Sequence, residues 1–166
     1  MRGSSAGFDL KLNGAAITPG TGYEIAAAQI SKLTTAQMPA LTSAQIAAIE
    51  TADLLKLTTA QIAALGTAQI SKLTTDQIPV MSTAQIAAIE TADIAEMTTA
   101  QIAALTTSQI SKLTTGQVAA LTTEQVANLS SAQVAFMQSR DVAAFTTAQL
   151  IALSTDAVAA FTTNQA

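Results

Sequence analysis

Two pairs of carboxylates are the side chains of this sequence whose type and spacing could support acid–base or metal chemistry. Glu50 lies three residues before Asp53, and Glu90 lies three residues before Asp93, forty residues further along the chain. If the chain stacked at that interval, the four carboxylates could share one face, and Ca²⁺ takes roughly six to eight oxygen ligands. The competing interpretation is that these acids are solvated groups near helix N-termini, where the helix dipole favours negative charge.

The sequence around these acids favours the second interpretation. It contains neither an Asp-x-Asp-x-Asp-Gly loop nor a Gly-Gly-x-Gly-x-Asp nonapeptide, the two patterns that would support a calcium array. We therefore predict no metal and no cofactor, and we retain Glu50, Asp53, Glu90 and Asp93 only as weak candidates for metal ligands.

The composition excludes most other site chemistry. The chain has no His and no Cys, so it lacks the commonest general base, the commonest transition-metal ligand and every thiolate. Ser and Thr are abundant, but without a base they are not expected to act as nucleophiles. Seven basic residues against eleven acidic ones give a net charge of −4, which cannot neutralise a run of phosphates. We predict that the chain is not an enzyme and does not bind nucleic acid.

The dominant feature of the sequence is an eight-residue repeat, or octad, of the type Thr-Thr-Ala-Gln-Ile-Ala-Ala-Leu, in about eighteen copies. Its Gln column is every eighth residue from 29 to 165 and holds Gln, with Asp at 53, 93 and 141 and Ala at 157. The Ile column is the next residue and the Leu column the residue three further on, and both are almost uniformly large and apolar. Polar residues in every octad interrupt the run of roughly 20 apolar residues that a bilayer span needs.

The spacing within the octad predicts short, interrupted helices. Apolar residues three apart share a helix face, whereas a strand would need even spacings. Two helical turns per octad would require about 4.0 residues per turn, but an α-helix has about 3.6, so the apolar stripe would leave the face within a few repeats. The chain must therefore break once per octad.

The break carries the pattern of a capping box. A Thr hydroxyl accepts from the backbone N–H three residues later, and the Gln side chain there reaches back to the N–H of the Thr. The flanking Leu and Ile form a hydrophobic staple. The predicted capping pairs are Thr34 with Gln37, Thr58 with Gln61, Thr74 with Gln77, and Thr106 with Gln109. Pro39 and Pro79, two residues after the Gln column, limit their octads to little more than one turn or a 3₁₀ turn.

Helices this short are unstable alone and must stack, so we predict an all-α, right-handed superhelical solenoid with one very short helix per octad. Residues 29–68 and 69–108 are identical at 28 of 40 positions. This longer repeat has two interpretations. Either a block of five octads was duplicated, or five octads complete one superhelical turn. In the second case Lys32, Lys72 and Lys112 would also stack.

The ends differ from the repeats. Residues 1–7 have the character of a vector leader, and residues 8–28 are expected to cap the stack, with an extended segment at 8–12 and a helix near 23–29. The solenoid is expected to occupy 29–166 and to be cut in mid-octad. Neighbouring repeats of a longer array, or other copies meeting it end to end, are its expected partners.

The octads Thr58–Leu65 and Thr98–Leu105, with Glu-Thr-Ala-Asp-Ile at 90–94, resemble the repeat arrays of very large proteobacterial surface proteins described as adhesins. The resemblance implies a secreted protein and a rigid spacer or stalk at the cell surface. The alternative is a protein–protein interaction solenoid that binds a partner on one face, and ice binding through Thr rows is a more distant one.

Overall fold

The structure, a computed structural model, describes residues 11–12, 15–16 and 30–161 of the chain. Near the N-terminus, β1 (Lys11–Leu12) pairs antiparallel with β2 (Ala15–Ala16), with Lys11 opposite Ala16. β1 falls in the segment expected to be extended, and the helix expected near 23–29 lies outside the described residues.

From residue 30 to 161 every regular element is a helix of three to six residues, and each octad from 37 onward supplies one. The first is the 3₁₀ helix Met38–Ala40. The α-helices are α1 (Ser43–Ala47), α2 (Thr51–Leu54), α3 (Thr59–Ala63), α4 (Thr67–Ile70), α5 (Gln77–Val80), α6 (Thr83–Ala87), α7 (Thr91–Glu96), α8 (Thr99–Ala103), α9 (Thr107–Ile110), α10 (Thr115–Ala120), α11 (Thr123–Ala127), α12 (Ser131–Ala135), α13 (Ser139–Val142), α14 (Thr147–Ala152) and α15 (Thr155–Ala159). The prediction of an all-helical array with one short helix per octad is confirmed.

Each helix ends because the next cap needs an extended backbone. Thr58, the N-cap of α3, has φ −73° and ψ 159°, and the helix closes five residues later. The last turn tightens, since Leu65 N–H donates to Ile62 O at 3.0 Å, an i→i+3 bond of the 3₁₀ type. The octads of Pro39 and Pro79 form a 3₁₀ turn and a four-residue helix, as their prolines predict.

The helices wind into a superhelix whose repeat can be measured along the chain. Each helix packs mainly on the third helix before it and the third helix after it. Hydrogen bonds from the Gln column reach back 28 and 31 residues, into the fourth octad before. One turn therefore contains between three and four octads, and the 28-residue step corresponds to 28/8, or about three and a half.

Of the two interpretations of the forty-residue similarity, the one in which five octads complete a superhelical turn is wrong. Forty residues correspond to 40/28, or about 1.4 turns, so residues forty apart lie on nearly opposite sides of the superhelix. The Lys column at 32, 72 and 112 therefore does not stack. The forty-residue similarity is a property of the sequence and not a period of the structure. The right-handedness of the superhelix stays a prediction.

The side chains of the Ile and Leu columns form one continuous core, with two large buried side chains per octad from Ile30 to Met137. From Ile30 to Val134, side chains of the Ile column are 0–1 % exposed. Burial of each contributes about 1.5–3 kcal/mol, so many small layers replace the bulky aromatic anchors of an ordinary domain. Within the described part of the chain no helix has the length and apolar character needed to cross a membrane.

The glutamine column as the candidate functional site

The polar residues of the octad meet at the helix starts. Between residues 30 and 161, nine helices begin with a complete capping box. In each, the N-cap hydroxyl accepts from the N–H of the Gln three residues later, and the Gln Oε1 accepts from the N-cap N–H. The N-caps of these helices are Thr42, Thr58, Ser82, Thr98, Thr106, Thr114, Thr122, Ser130 and Thr146.

Two of the four predicted capping pairs, at Thr58 and Thr106, make both of these bonds at the starts of α3 and α9. Thr74 and Gln77 also exchange both bonds, at 2.8 and 3.2 Å, although α5 begins only at residue 77.

The first predicted pair differs from the others. Thr34 N–H donates to Gln37 Oε1 at 2.8 Å, but the segment between them is a turn and the 3₁₀ helix follows it. The Thr–Gln pairing is therefore present even where an α-helix does not start.

The second half of each Gln amide ties successive turns of the superhelix together. Gln109 Nε2 donates to Met81 O at 2.7 Å and to Ile78 O at 2.8 Å, 28 and 31 residues earlier. Those carbonyls belong to the last turn of α5 and its C-cap, where Ile78 O accepts in addition only the N–H of Met81 at 3.2 Å, so the Gln amide completes the bonding of the helix end. One side chain therefore caps the start of its own helix and the end of the helix four octads earlier.

This bridge recurs throughout the array. The bond across 28 residues is 2.6–2.8 Å long and is made by Gln61, Gln69, Gln77, Gln85, Gln101, Gln109, Gln117, Gln125, Gln133 and Gln149. All ten of these side chains are at least nine-tenths buried. From the sequence, only the oxygen of these amides was predicted to act, as the acceptor from the N-cap N–H. The signal for the bridge was that the column contains Gln and never Glu, although Glu would serve a capping box equally well.

Three Asp residues interrupt the column, and two of them are compensated locally. Asp53 Oδ1 accepts from Lys56 Nζ at 2.8 Å. At Asp141 the roles are exchanged with the N-cap, since Gln138 Nε2 donates to Ser111 O at 2.9 Å and Gln138 N–H donates to Asp141 Oδ2 at 3.2 Å. This exchange explains why Gln replaces the usual Thr at 138 where Asp replaces Gln at 141.

The carboxyl of Asp141 is fully buried, and burial raises its pKa above the ordinary value of 3.8. The backbone hydrogen bond from Gln138 and the Arg140 guanidinium oppose that increase. Asp141 Oδ1 has no hydrogen-bond partner in the described part of the chain, but it lies 3.5 Å from Arg140 Nε.

The weak metal candidates are not assembled into one site. The two pairs are forty residues apart, which is 40/28 or about 1.4 turns of the superhelix. The four carboxylates Glu50, Asp53, Glu90 and Asp93 therefore do not share a face. Among the described residues no group of three or more acidic, His or Cys side chains could hold a metal ion. Glu50 and Glu90 are N-caps of α2 and α7 whose side chains make no cap hydrogen bond.

A shallow groove of about 570 Å³ lies beside Gly66, the one N-cap among the helices α1 to α15 that lacks a side chain. Gly66 N–H still donates to Gln69 Oε1 at 3.0 Å, but Gln69 N–H has no hydroxyl to meet. The backbone at Gly66 has φ −98°, which any residue adopts, and a Cβ there would meet no atom within 4 Å.

The Gly66→Thr variant should therefore be more stable than the parent by about 0.5–1 kcal/mol, because it completes the capping box and restricts the unfolded chain. Urea unfolding followed by circular dichroism measures this difference. The reciprocal Thr106→Gly variant, at the matching octad of the second block, should lose a similar amount. If both variants shifted stability in the same direction, the capping assignment would be contradicted.

Comparison with known proteins places this repeat in a described class. A family model described as the ALTTAQ repeat matches residues 46–83, 86–123 and 134–166, three segments in tandem that cover most of the array. No curated protein and no solved structure matches the chain.

Proposed function

Because the chain belongs to the ALTTAQ repeat family, we propose that it is a non-catalytic structural repeat module, a rigid spacer or stalk within a large bacterial surface or adhesin-like protein. The observation that carries this proposal is the Gln column. Its amides bind every turn of the superhelix to the next through buried hydrogen bonds of 2.6–2.8 Å. A rod joined in this way at most of its octads resists bending between layers.

The same bonds leave little polar chemistry on the surface. The Gln side chains and most N-cap hydroxyls are engaged in capping, and the outward positions hold Ala, Thr, Ser and scattered charges. A surface of short side chains suits a spacer, because a binding face is typically enriched in aromatic residues and Arg.

The alternative of a protein-interaction solenoid would rest on the large apolar side chains that are exposed on the outside. Leu55, Phe136 and Ile151 are 53 %, 58 % and 78 % exposed. Leu55 and Phe136 lie at two helices far apart along the array, so they do not form with Ile151 the contiguous patch that marks an interface. The exposed Leu150 and Val158 lie near Ile151, at the C-terminal end of the array. Ice binding is disfavoured for a related reason. A turn of about three and a half octads staggers the Thr residues of successive turns, whereas ice recognition would need aligned rows.

The spacer proposal predicts how the dimensions of the protein depend on octad number. Residues 85–140 comprise seven octads, or two turns at 28 residues per turn, so a second copy inserted after residue 140 preserves the register. Small-angle X-ray scattering should give a longer maximum dimension, with an increment that is constant for each added copy and with an unchanged cross-section. A maximum dimension that grew as the square root of the number of copies would contradict a rigid rod.

Further octads, or other copies of the chain, are the proposed partners of the array's C-terminal face. Leu150 and Val158 belong to the Ile column but are 41 % and 48 % exposed, unlike the fully buried residues of that column from Ile30 to Val134. Sedimentation should detect concentration-dependent end-to-end association, and a Leu150→Gln/Val158→Thr variant should reduce it. Association that this variant leaves unchanged would exclude this face.

The proposed extracellular or cell-surface location requires a separate experiment. Antibodies against the array should label intact bacteria that carry the parent gene, and external protease should remove the signal. Labelling only after permeabilisation would contradict a surface role and leave the rod-like module itself unaffected.

A further inference from the structure

Asp93 is the interruption of the Gln column that has no compensation. Asp53 is paired with Lys56, and Asp141 is contacted by Gln138 and Arg140. The residue forty positions after Lys56 is Glu96. Three residues after Asp93 there is therefore an acidic side chain, whereas Asp53 has a basic one at the same position. No ion pair or hydrogen bond to the side chain of Asp93 is found among residues 30–161.

The carbonyl group that this position would serve is also left without its donor. In the register of the column, residue 93 faces the turn that contains Leu65, 28 residues before it. Elsewhere the equivalent carbonyl accepts from a Gln amide, as Leu73 O does from Gln101 Nε2 at 2.7 Å. A carboxylate has only acceptor oxygens, so an ionised Asp93 cannot supply this bond.

The surroundings of Asp93 are uniformly neutral or negative. The two helices that pack most closely on α7 are α4 and α10, and neither contains an ionisable residue. The octad 58–65, which contains the residue 28 positions before Asp93, also has no ionisable residue. On its own element Asp93 has the exposed acids Glu90 and Glu96, and the exposed Lys72 beyond α4 makes no ion pair with any of the three among the described residues.

We propose that the layer between residues 58–65 and 91–97 is a pH-responsive joint of the rod, which tightens when the carboxyl of Asp93 is protonated and loosens when it ionises. The protonated carboxyl is neutral and carries one O–H donor, which the carboxylate lacks. The ionised carboxyl places a negative charge on a side chain that is only 4 % exposed, beside Glu90 and without a cation partner among residues 30–161.

The direction of the effect follows from the titration. Burial, and after it the charge of Glu90, raises the pKa of Asp93 above the ordinary 3.8. A group whose pKa is higher in the folded state contributes stability that is complete at pH below 3.8 and is lost as the pH rises through the folded value. The contact between the two turns at this joint is therefore more stable in acid than at neutral pH.

Hydrogen exchange followed by mass spectrometry tests this joint locally. Peptides that cover 59–65 and 91–97 are compared at about pH 4 and at neutral pH, with correction for the intrinsic pH dependence of exchange. Protection in the parent chain should fall by about tenfold or more on going to neutral pH, relative to peptides from the layers of Gln109 and Gln117. The Asp93→Asn variant, which is neutral throughout, should show no such fall.

Two further variants separate this explanation from a general effect of acid. Glu96→Lys should give Asp93 the partner that Asp53 has and should restore most of the protection at neutral pH. Asp53→Asn should leave the pH response of the 91–97 peptides unchanged. The proposal is overturned if the parent and Asp93→Asn chains have the same pH profile. It is also overturned if millimolar Ca²⁺ restores protection at neutral pH and a chelator removes it, since that result would assign the joint to a cation.

Discussion

Replacing Gln117 with Glu should destabilise the array by about 3–5 kcal/mol at neutral pH, although the two side chains have almost the same shape. Gln117 is 1 % exposed, and its amide nitrogen lies 2.8 Å from each of the carbonyl oxygens of Ile86 and Ile89. A carboxylate would place a negative oxygen against two others at that distance, and neither residues 114–121 nor residues 86–89 include a cation. The loss comprises two buried hydrogen bonds and the burial of an unpaired charge.

The pH dependence of the Gln117→Glu variant distinguishes this explanation from a packing defect. The new carboxyl is expected to have a pKa raised by burial, so part of the lost stability should return as the pH falls and the protonated group becomes a donor. The Gln117→Met variant also removes the amide but carries no charge, so its loss of about 2–4 kcal/mol should not depend on pH. Urea unfolding at about pH 4 and at neutral pH measures both. Equal stability of the Glu variant and the parent at neutral pH would show that the bridge is not important for folding.

Truncation of Ile102 to Ala should cost about 2–5 kcal/mol, because this side chain is fully buried between turns of the superhelix and its removal leaves a cavity. The effect should be as large as in an ordinary domain, because each octad supplies only two large side chains to the core. Thermal unfolding measured by circular dichroism gives the shift. The neighbouring Ala103 is exposed, and its replacement by Ser should change stability by less than about 0.5 kcal/mol.

The helical character of the chain was accessible from sequence because it is encoded locally. Apolar residues three apart, a Thr before them and a Gln between them specify a short helix within one octad, and α3 and α9 begin at the predicted N-caps. The interruption of every helix was likewise predictable, since an eight-residue period does not match the pitch of an α-helix.

The winding was not predictable from the same information. The forty-residue similarity of 29–68 to 69–108 suggested five octads per turn, but similarity between blocks records only which residues are alike. The actual repeat of about 28 residues depends on how far a Gln side chain reaches and on how the Ile and Leu columns pack across turns. Neither quantity is visible in one octad, and both involve residues far apart in sequence.

The exchange at Gln138 and Asp141 illustrates the same limit at the level of single residues. In the sequence it is an unexplained swap of two side chains three residues apart. In the structure the amide that bonds to the earlier turn is supplied by residue 138 and not by residue 141. Gln138 Nε2 donates to Ser111 O, 27 residues earlier, while Asp141 accepts from the N-cap N–H. A partner in another turn was needed to give the covariation a cause.

The reach of the Gln bridge also sets a minimum size for this kind of protein. A bond that spans 28 residues cannot form until at least 29 residues, nearly four octads, have been ordered, and the entropy of closing that loop must be overcome before any bridge stabilises the chain. Each later octad adds a bridge and a pair of buried side chains for only eight further residues. The array should therefore show the nucleation and propagation behaviour of a helix–coil transition, with the octad as its unit. Fragments of three octads should remain unfolded, and each octad added beyond the first full turn should raise the melting temperature by a progressively smaller step.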